Sequence, residues 1–160
     1  MCEGICASLL AADHLRDAFD LILVGGGLHH FHPHVPRAVD VIHGMLKPGG
    51  LFCFAEPRRE SLLDLARRIW YRLDRRTFAE EEAAIDLQAL KRHNVDRFAF
   101  QREVYFGGVG YFLVLNSMVF RIPVRWKPRL APWCLKVESL LQPVQNKYIA
   151  PAVVCVWRKA

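Results

Sequence analysis

At 160 residues the chain is long enough to bury a core of its own, and a composition 52% hydrophobic and 24% charged is that of a folded domain, not of a disordered segment. The net charge of +6 invites an anionic partner, but no nucleic-acid-binding motif accompanies it, so a nucleic-acid partner is not expected. Five cysteines, Cys2, Cys6, Cys53, Cys134 and Cys155, are odd in number and scattered behind no secretory signal, which argues against a disulfide scaffold and for a reducing, cytoplasmic setting.

Leu21 to Val24 is an uninterrupted apolar run between Asp20 and Gly25-Gly26-Gly27, and it predicts a strand buried on both faces. From Pro36 the pattern becomes helical, with Val35, Val39, Ile42 and Leu46 at three- and four-residue spacing and the proline in a tolerated first-turn position. Lys47-Pro48-Gly49-Gly50 stops that helix, and Leu51 to Ala55 reads as a second buried strand. The connection is long enough for a parallel crossover. Ligands of parallel sheets gather outside the carboxyl ends of the strands, here Gly25 to His34 and Glu56-Pro57, so these two segments should be neighbours.

Ser61 with Asp64 resembles a capping box that starts the next helix. Its apolar stripe is Leu62, Leu65, Ala66, Ile69, Trp70 and Leu73. The arginines of this region, Arg58, Arg59, Arg67, Arg68, Arg72, Arg75 and Arg76, fall mostly off the stripe and are expected to be a solvated face. A further helix is predicted from Glu80 to His93, with acids opening it and Lys91-Arg92-His93 closing it. Val95 to Tyr105 reads as a strand.

Val104 to Phe120 is uncharged and apolar but at the short limit for crossing a bilayer, and it contains three glycines, Asn116 and Ser117. It is expected to be a strand end followed by an apolar insertion over the cleft, acting as a lid or a peripheral membrane contact. Arg121 to Pro143, rich in proline and tryptophan, predicts loops with a helix from Cys134 to Leu141, and Pro151 to Trp157 a last strand. Residues 1–160 are expected to form one domain.

Two tempting sites are set aside on geometry. His29, His30, His32 and His34 are metal-ligating in type, but alternating histidines in a loop with Pro33 between two of them present no preformed tetrahedron. Gly25-Gly26-Gly27 lacks the spacing of a phosphate-binding loop and opens no helix directly, although glycines at a strand end let a ligand approach the backbone.

The order Phe19-Asp20, then Leu28-His29-His30, then Leu46-Lys47-Pro48-Gly49-Gly50, then a strand ending in Glu56-Pro57 resembles the carboxyl-terminal half of a class I S-adenosylmethionine-dependent methyltransferase. The small-molecule and quinone-type members are the most similar. The resemblance implies an α/β fold: a partial Rossmann-like methyltransferase sheet, parallel strands with helices on both faces and antiparallel carboxyl-terminal strands, corresponding to strands four to seven of the family. It implies that Leu28-His29-His30 lies beside the methyl group and the substrate. The family's glycine-rich cofactor loop and the acid after its second strand have no counterpart in the 18 residues before Phe19, and the place of its third-strand acid reads Glu3-Gly4-Ile5-Cys6.

The resemblance therefore implies methyl transfer to a small or lipophilic acceptor with S-adenosylmethionine as cofactor, through a chain that lacks the main cofactor motif and is not expected to bind it alone. His29, His30 and Glu56 are the candidate catalytic bases, and Gly25, Gly26 and Leu28 the candidate cofactor contacts. An unpaired sheet edge and a partner segment completing the sheet are expected. The alternative is a non-catalytic binding or interaction module that kept the sheet.

Overall fold

In the computed structural model the described residues are 8–12, 14–59, 61–65, 69, 84–108, 110 and 122–160. A strand-helix-strand unit comes first: β1 (Phe19–Gly25), α1 (Val35–Met45) and β2 (Leu46–Pro57). After it come α2 (Leu87–His93), β3 (Phe98–Phe106), α3 (Lys127–Leu141) and β4 (Ala152–Lys159). The sheet order is β1-β2-β4-β3. β1 and β2 run parallel, as their crossover predicts, and the last strand enters antiparallel between β2 and β3.

The first unit follows the sequence closely, with Pro36 in the first turn of α1. Leu46, expected at the end of that helix, instead pairs with Phe19. The ladder then jumps from Phe19–Leu46 to Leu21–Leu51, so the intervening residues of β2 bulge outward. Two glycines permit this. Gly49 sits at φ +76, and a Cβ on Gly50 would stand 2.9 Å from the Lys47 carbonyl oxygen.

One face of the sheet is the core. Trp157 is fully buried at its centre, with ring centroids of Phe100, Phe54, Phe98 and Phe52 at 4.8, 5.0, 5.6 and 6.1 Å. Val35, Ala38, Val39 and Ile42 of α1 and Leu87 and Leu90 of α2 close over this cluster. Cys155 belongs to it, and burial, with Glu103 nearby, pushes its thiol up to about 12, leaving it a packing group and not a nucleophile.

The opposite face departs from expectation. Leu21 is 52% and Leu23 74% exposed, and Leu51, Cys53 and Ala55 beside them are only partly covered. A continuous apolar run signals burial on both faces when both helical layers are present. Here α1 and α2 cover one face, and among the described strands β1 is at the end of the order.

Four further expectations are corrected. The helix predicted from Glu80 begins, within the described residues, at Leu87: Ile85 bridges to Arg58, and Asp86 caps the helix by accepting from the Ala89 amide at 2.8 Å. Glu80 to Ala83 lie outside the described residues. The helix predicted from Cys134 starts at Lys127, because Pro128 falls in its first turn, where a missing N–H costs nothing. Arg58, expected on a solvated face, is buried, with its guanidinium donating to the Lys147 carbonyl and lying 5.3 Å from the Tyr105 ring centroid. Ser61 Oγ does accept from the Asp64 amide at 3.0 Å, as a cap should. Leu62, Leu65 and Ile69 of the expected apolar stripe are nevertheless exposed, while Ala66, Trp70, Leu73 and five of the arginines lie outside the described residues.

Arg58 sits beside a polar cluster at the rim of β3. Glu103 accepts from Lys91 Nζ and from the Tyr105 hydroxyl. Burial alone would raise the Glu103 carboxyl, but these two donors outweigh it and hold the group below its ordinary 4.5. The unfolded chain therefore takes up this proton at higher pH than the folded one. The stability it contributes is complete above the unfolded value and is lost as pH falls through the folded value. Glu103→Gln should accordingly reduce stability near neutrality by about 1 kcal/mol and flatten the acid side of the stability profile, as measured by urea denaturation at several pH values.

Candidate functional site

The carboxyl ends of β1 and β2 lie side by side, as expected, with the Gly26 amide donating to the Ala55 carbonyl at 2.8 Å. Beyond β1 the chain enters a short 3-10 helix, Leu28–Phe31, whose preceding residue, Gly27, has no side chain to cap it. Such a helix start leaves amides without partners. Glu56, the residue after Ala55 on β2, supplies them from the neighbouring strand.

Glu56 is 1% exposed and fully engaged. Its Oε1 accepts from the amides of Gly27 at 2.9 Å and Leu28 at 2.7 Å. Its Oε2 accepts from the His29 amide at 3.3 Å and from His29 Nδ1 at 2.7 Å. A buried carboxylate is tolerated only with such a set of donors, and here three amides and one ring converge on it. The convergence has a chemical result. Because a carboxylate only accepts, Nδ1 of His29 carries a proton, so in the neutral ring Nε2 is the nitrogen with the lone pair.

His29 is 16% exposed, and the exposed ring of His30 lies on it at 4.0 Å between centroids, tilted by 37°. Gly25 and Gly26 form the open end of β1. A Cβ on either would meet nothing within 4 Å, and Gly26 takes a φ of +63 that favours glycine. Leu28, by contrast, is fully buried in the core, so its side chain anchors the loop and its amide is committed to Glu56.

The structure thus brings Gly25, Gly26, His29, His30 and Glu56 to one place. His32 and His34 continue away along the loop, and among the described residues no group of three His, Cys, Asp or Glu side chains is arranged to hold a metal ion. The amide-binding role of Glu56 had only a positional signal in the sequence, an acid ending the strand next to a glycine-rich loop. A cavity of about 350 Å³ opens behind this loop, with His32, Arg59 and His93 at its rim and Val35, Ile85 and Leu90 as apolar wall, large enough for a small molecule. Among the described residues no helix is long and apolar enough to cross a membrane.

Residues 2–54 match the family model described as a methyltransferase domain. Among solved structures, the fold is similar to that of a SAM dependent methyltransferase from Archaeoglobus fulgidus, with a TM-score of 0.56 and 10% identity over 98% of this chain and 66% of that one. A Bacillus halodurans protein classed as a methyltransferase gives 0.62 and 13% identity over 98% of this chain and 76% of that one. The cyclase SpnF gives 0.55 and 16% identity over 97% of this chain and 56% of that one. No curated protein matches the sequence. At such identities the likeness to solved structures is one of fold, and the chain spans just under two thirds of the Archaeoglobus enzyme. The match over residues 2–54 is to a methyltransferase domain, and the fold of the chain is that of SAM-dependent methyltransferases.

Proposed function

We propose that this chain forms the acceptor-side wall of a methyl-transfer cleft, with His29 as the base and Glu56 as its positioning residue, acting on a small or lipophilic acceptor. The observation that carries the proposal is the Glu56 carboxylate, which fixes the Gly27–His29 backbone and the His29 tautomer together. S-adenosylmethionine, when bound, supplies an electrophilic methyl group on a sulfonium. The residues present fit it on one side: Gly25 and Gly26 leave open space at the strand end. His29 accepts the proton that the acceptor gives up, through Nε2, and Glu56 stabilises the imidazolium that results. His30 lies against the ring of His29.

Orientation supplies much of the rate of an in-line displacement, and a clamped loop is what holds it. The rest of the cofactor's contacts are inferred to come from a segment that pairs with β1 and covers Leu21 and Leu23, which are apolar and exposed at the sheet edge. The free thiols of Cys53, Cys134 and Cys155 support a reducing, cytoplasmic setting. The fold at this TM-score also serves a cyclase, so fold alone does not select methyl transfer, and a non-catalytic module is the second reading.

The protein purified from its natural source, with any completing segment attached, should transfer label from the methyl-labelled donor to an organic-soluble product. His29→Ala should lower that rate by about 100-fold or more. Absence of transfer by the unaltered protein would favour the non-catalytic module, and an unchanged rate in the variant would remove His29 from the mechanism.

A further inference from the structure

We propose that the solvent-facing flank of α3 is a membrane-docking surface that seats the chain on an anionic lipid bilayer. The inward face of this helix is set by Leu130, Ala131, Cys134 and Val137, which are buried or partly so at three- and four-residue spacing. The outward face should then be polar. Instead Trp126 is 45%, Trp133 59% and Leu140 72% exposed, and their seven-residue spacing stacks them along a single flank. Arg129 and Lys136, each three residues after a tryptophan, share that flank, and Arg129 lies 5.4 Å from the Trp126 ring centroid. Val124 and Tyr148, 77% and 68% exposed, extend the apolar surface beyond the helix.

The charge on this segment has one sign. Between residues 122 and 148 the basic side chains are Arg125, Lys127, Arg129, Lys136 and Lys147, and the single acid is Glu138. Glu138 is turned toward neutral donors, its carboxylate accepting from the Gly110 amide at 3.1 Å and from Gln145 Nε2 at 2.5 Å, and one acid leaves the segment net positive. Exposed tryptophans beside a cationic stripe suit the headgroup region of a bilayer, where the rings sit at the apolar boundary and the cations meet anionic lipid. A second copy of the chain is the poorer occupant, since it would bring the same positive charges against these. A nucleic acid would use the cations but leave Leu135, Leu140 and Val124 without a role. The surface is separate from the apolar run at 104–120, most of which lies outside the described residues, and the inference does not depend on methyl transfer.

Vesicle flotation tests it. The chain should float with phosphatidylcholine vesicles containing about a third phosphatidylglycerol and stay behind with pure phosphatidylcholine, and its tryptophan emission should shift to the blue. Arg129→Gln with Lys136→Gln should weaken partitioning by about 30-fold, roughly fivefold for each cation. Trp133→Ser with Leu140→Ser should abolish the blue shift, while Arg92→Gln, which removes an exposed cation elsewhere, should change nothing. Absence of flotation on anionic vesicles, equal binding to both vesicle types, or binding that ignores the α3 variants would overturn the proposal. So would self-association that Trp133→Ser and Leu140→Ser abolish in a chain that does not float, which would assign the face to a second copy.

Discussion

Trp157→Ala should remove about 3–5 kcal/mol of stability and leave the chain close to unfolded at room temperature, with a urea midpoint far below that of the parent. The reason is its place in the sheet. β4 lies between β2 and β3, and Trp157 pairs with Phe52 on one side and Phe100 on the other. Four phenylalanine rings pack on the indole at 4.8 to 6.1 Å, two of them, Phe52 and Phe54, nearly perpendicular to it. Such edge-to-face pairs add to the area the indole buries. With the other sheet face partly open, this cluster carries a larger share of the cohesion than it would in a sheet covered on both sides. A loss below about 1 kcal/mol would show that the other face contributes more than its exposure indicates.

Glu56→Ala should have the second-largest effect and a more local one. Three amides and the His29 ring would lose their acceptor inside the protein, at a cost of about 3 kcal/mol after partial rehydration. Amide exchange at Gly27 and Leu28 should accelerate by about 100-fold while exchange in β4 changes little. Glu56→Gln separates the two jobs of the carboxylate. One oxygen can still receive the Gly27 and Leu28 amides, but the amide nitrogen that replaces Oε2 now donates toward His29, which should move the ring proton to Nε2. Nitrogen NMR of the imidazole would show that exchange of tautomer. A ring that keeps its Nδ1 proton in this variant would mean that Glu56 does not set it.

The strands and the first helix were legible because each is a short apolar run or a three-four repeat punctuated by Pro, Gly or Asp. Burial was less legible. Leu21 and Leu23 look like interior residues in any window of sequence, and they are exposed because α1 and α2 pack on the other face of the sheet. Arg58 misleads in the opposite sense: nothing local says that the end of β2 passes under Tyr105 and meets the Lys147 carbonyl. The start of α2 was obscured by Ile85, helical by composition but engaged in a bridge to Arg58, and the start of α3 by Pro128, which a first turn accepts, and by Pro132 inside the helix. At the site, the neighbourhood of Glu56 and the glycine loop could be inferred from parallel-strand geometry. The clamp could not, because an acid's partners depend on which way the loop turns after Gly26. Leu28 shows the same limit, since its motif position suggested a ligand contact and the turn sends its side chain into the core.

The central claim, that the cofactor's methyl end lies against the Glu56-clamped loop, is tested most directly by titrating the labelled chain with millimolar S-adenosylhomocysteine and following its amides and histidine rings by NMR. The predicted result is a weak, non-saturating response at Gly25, Gly26, His29 and His30, with little change at Arg59, Ile85 or His93 around the neighbouring cavity. Shifts confined to that cavity, with the loop unmoved, would contradict it.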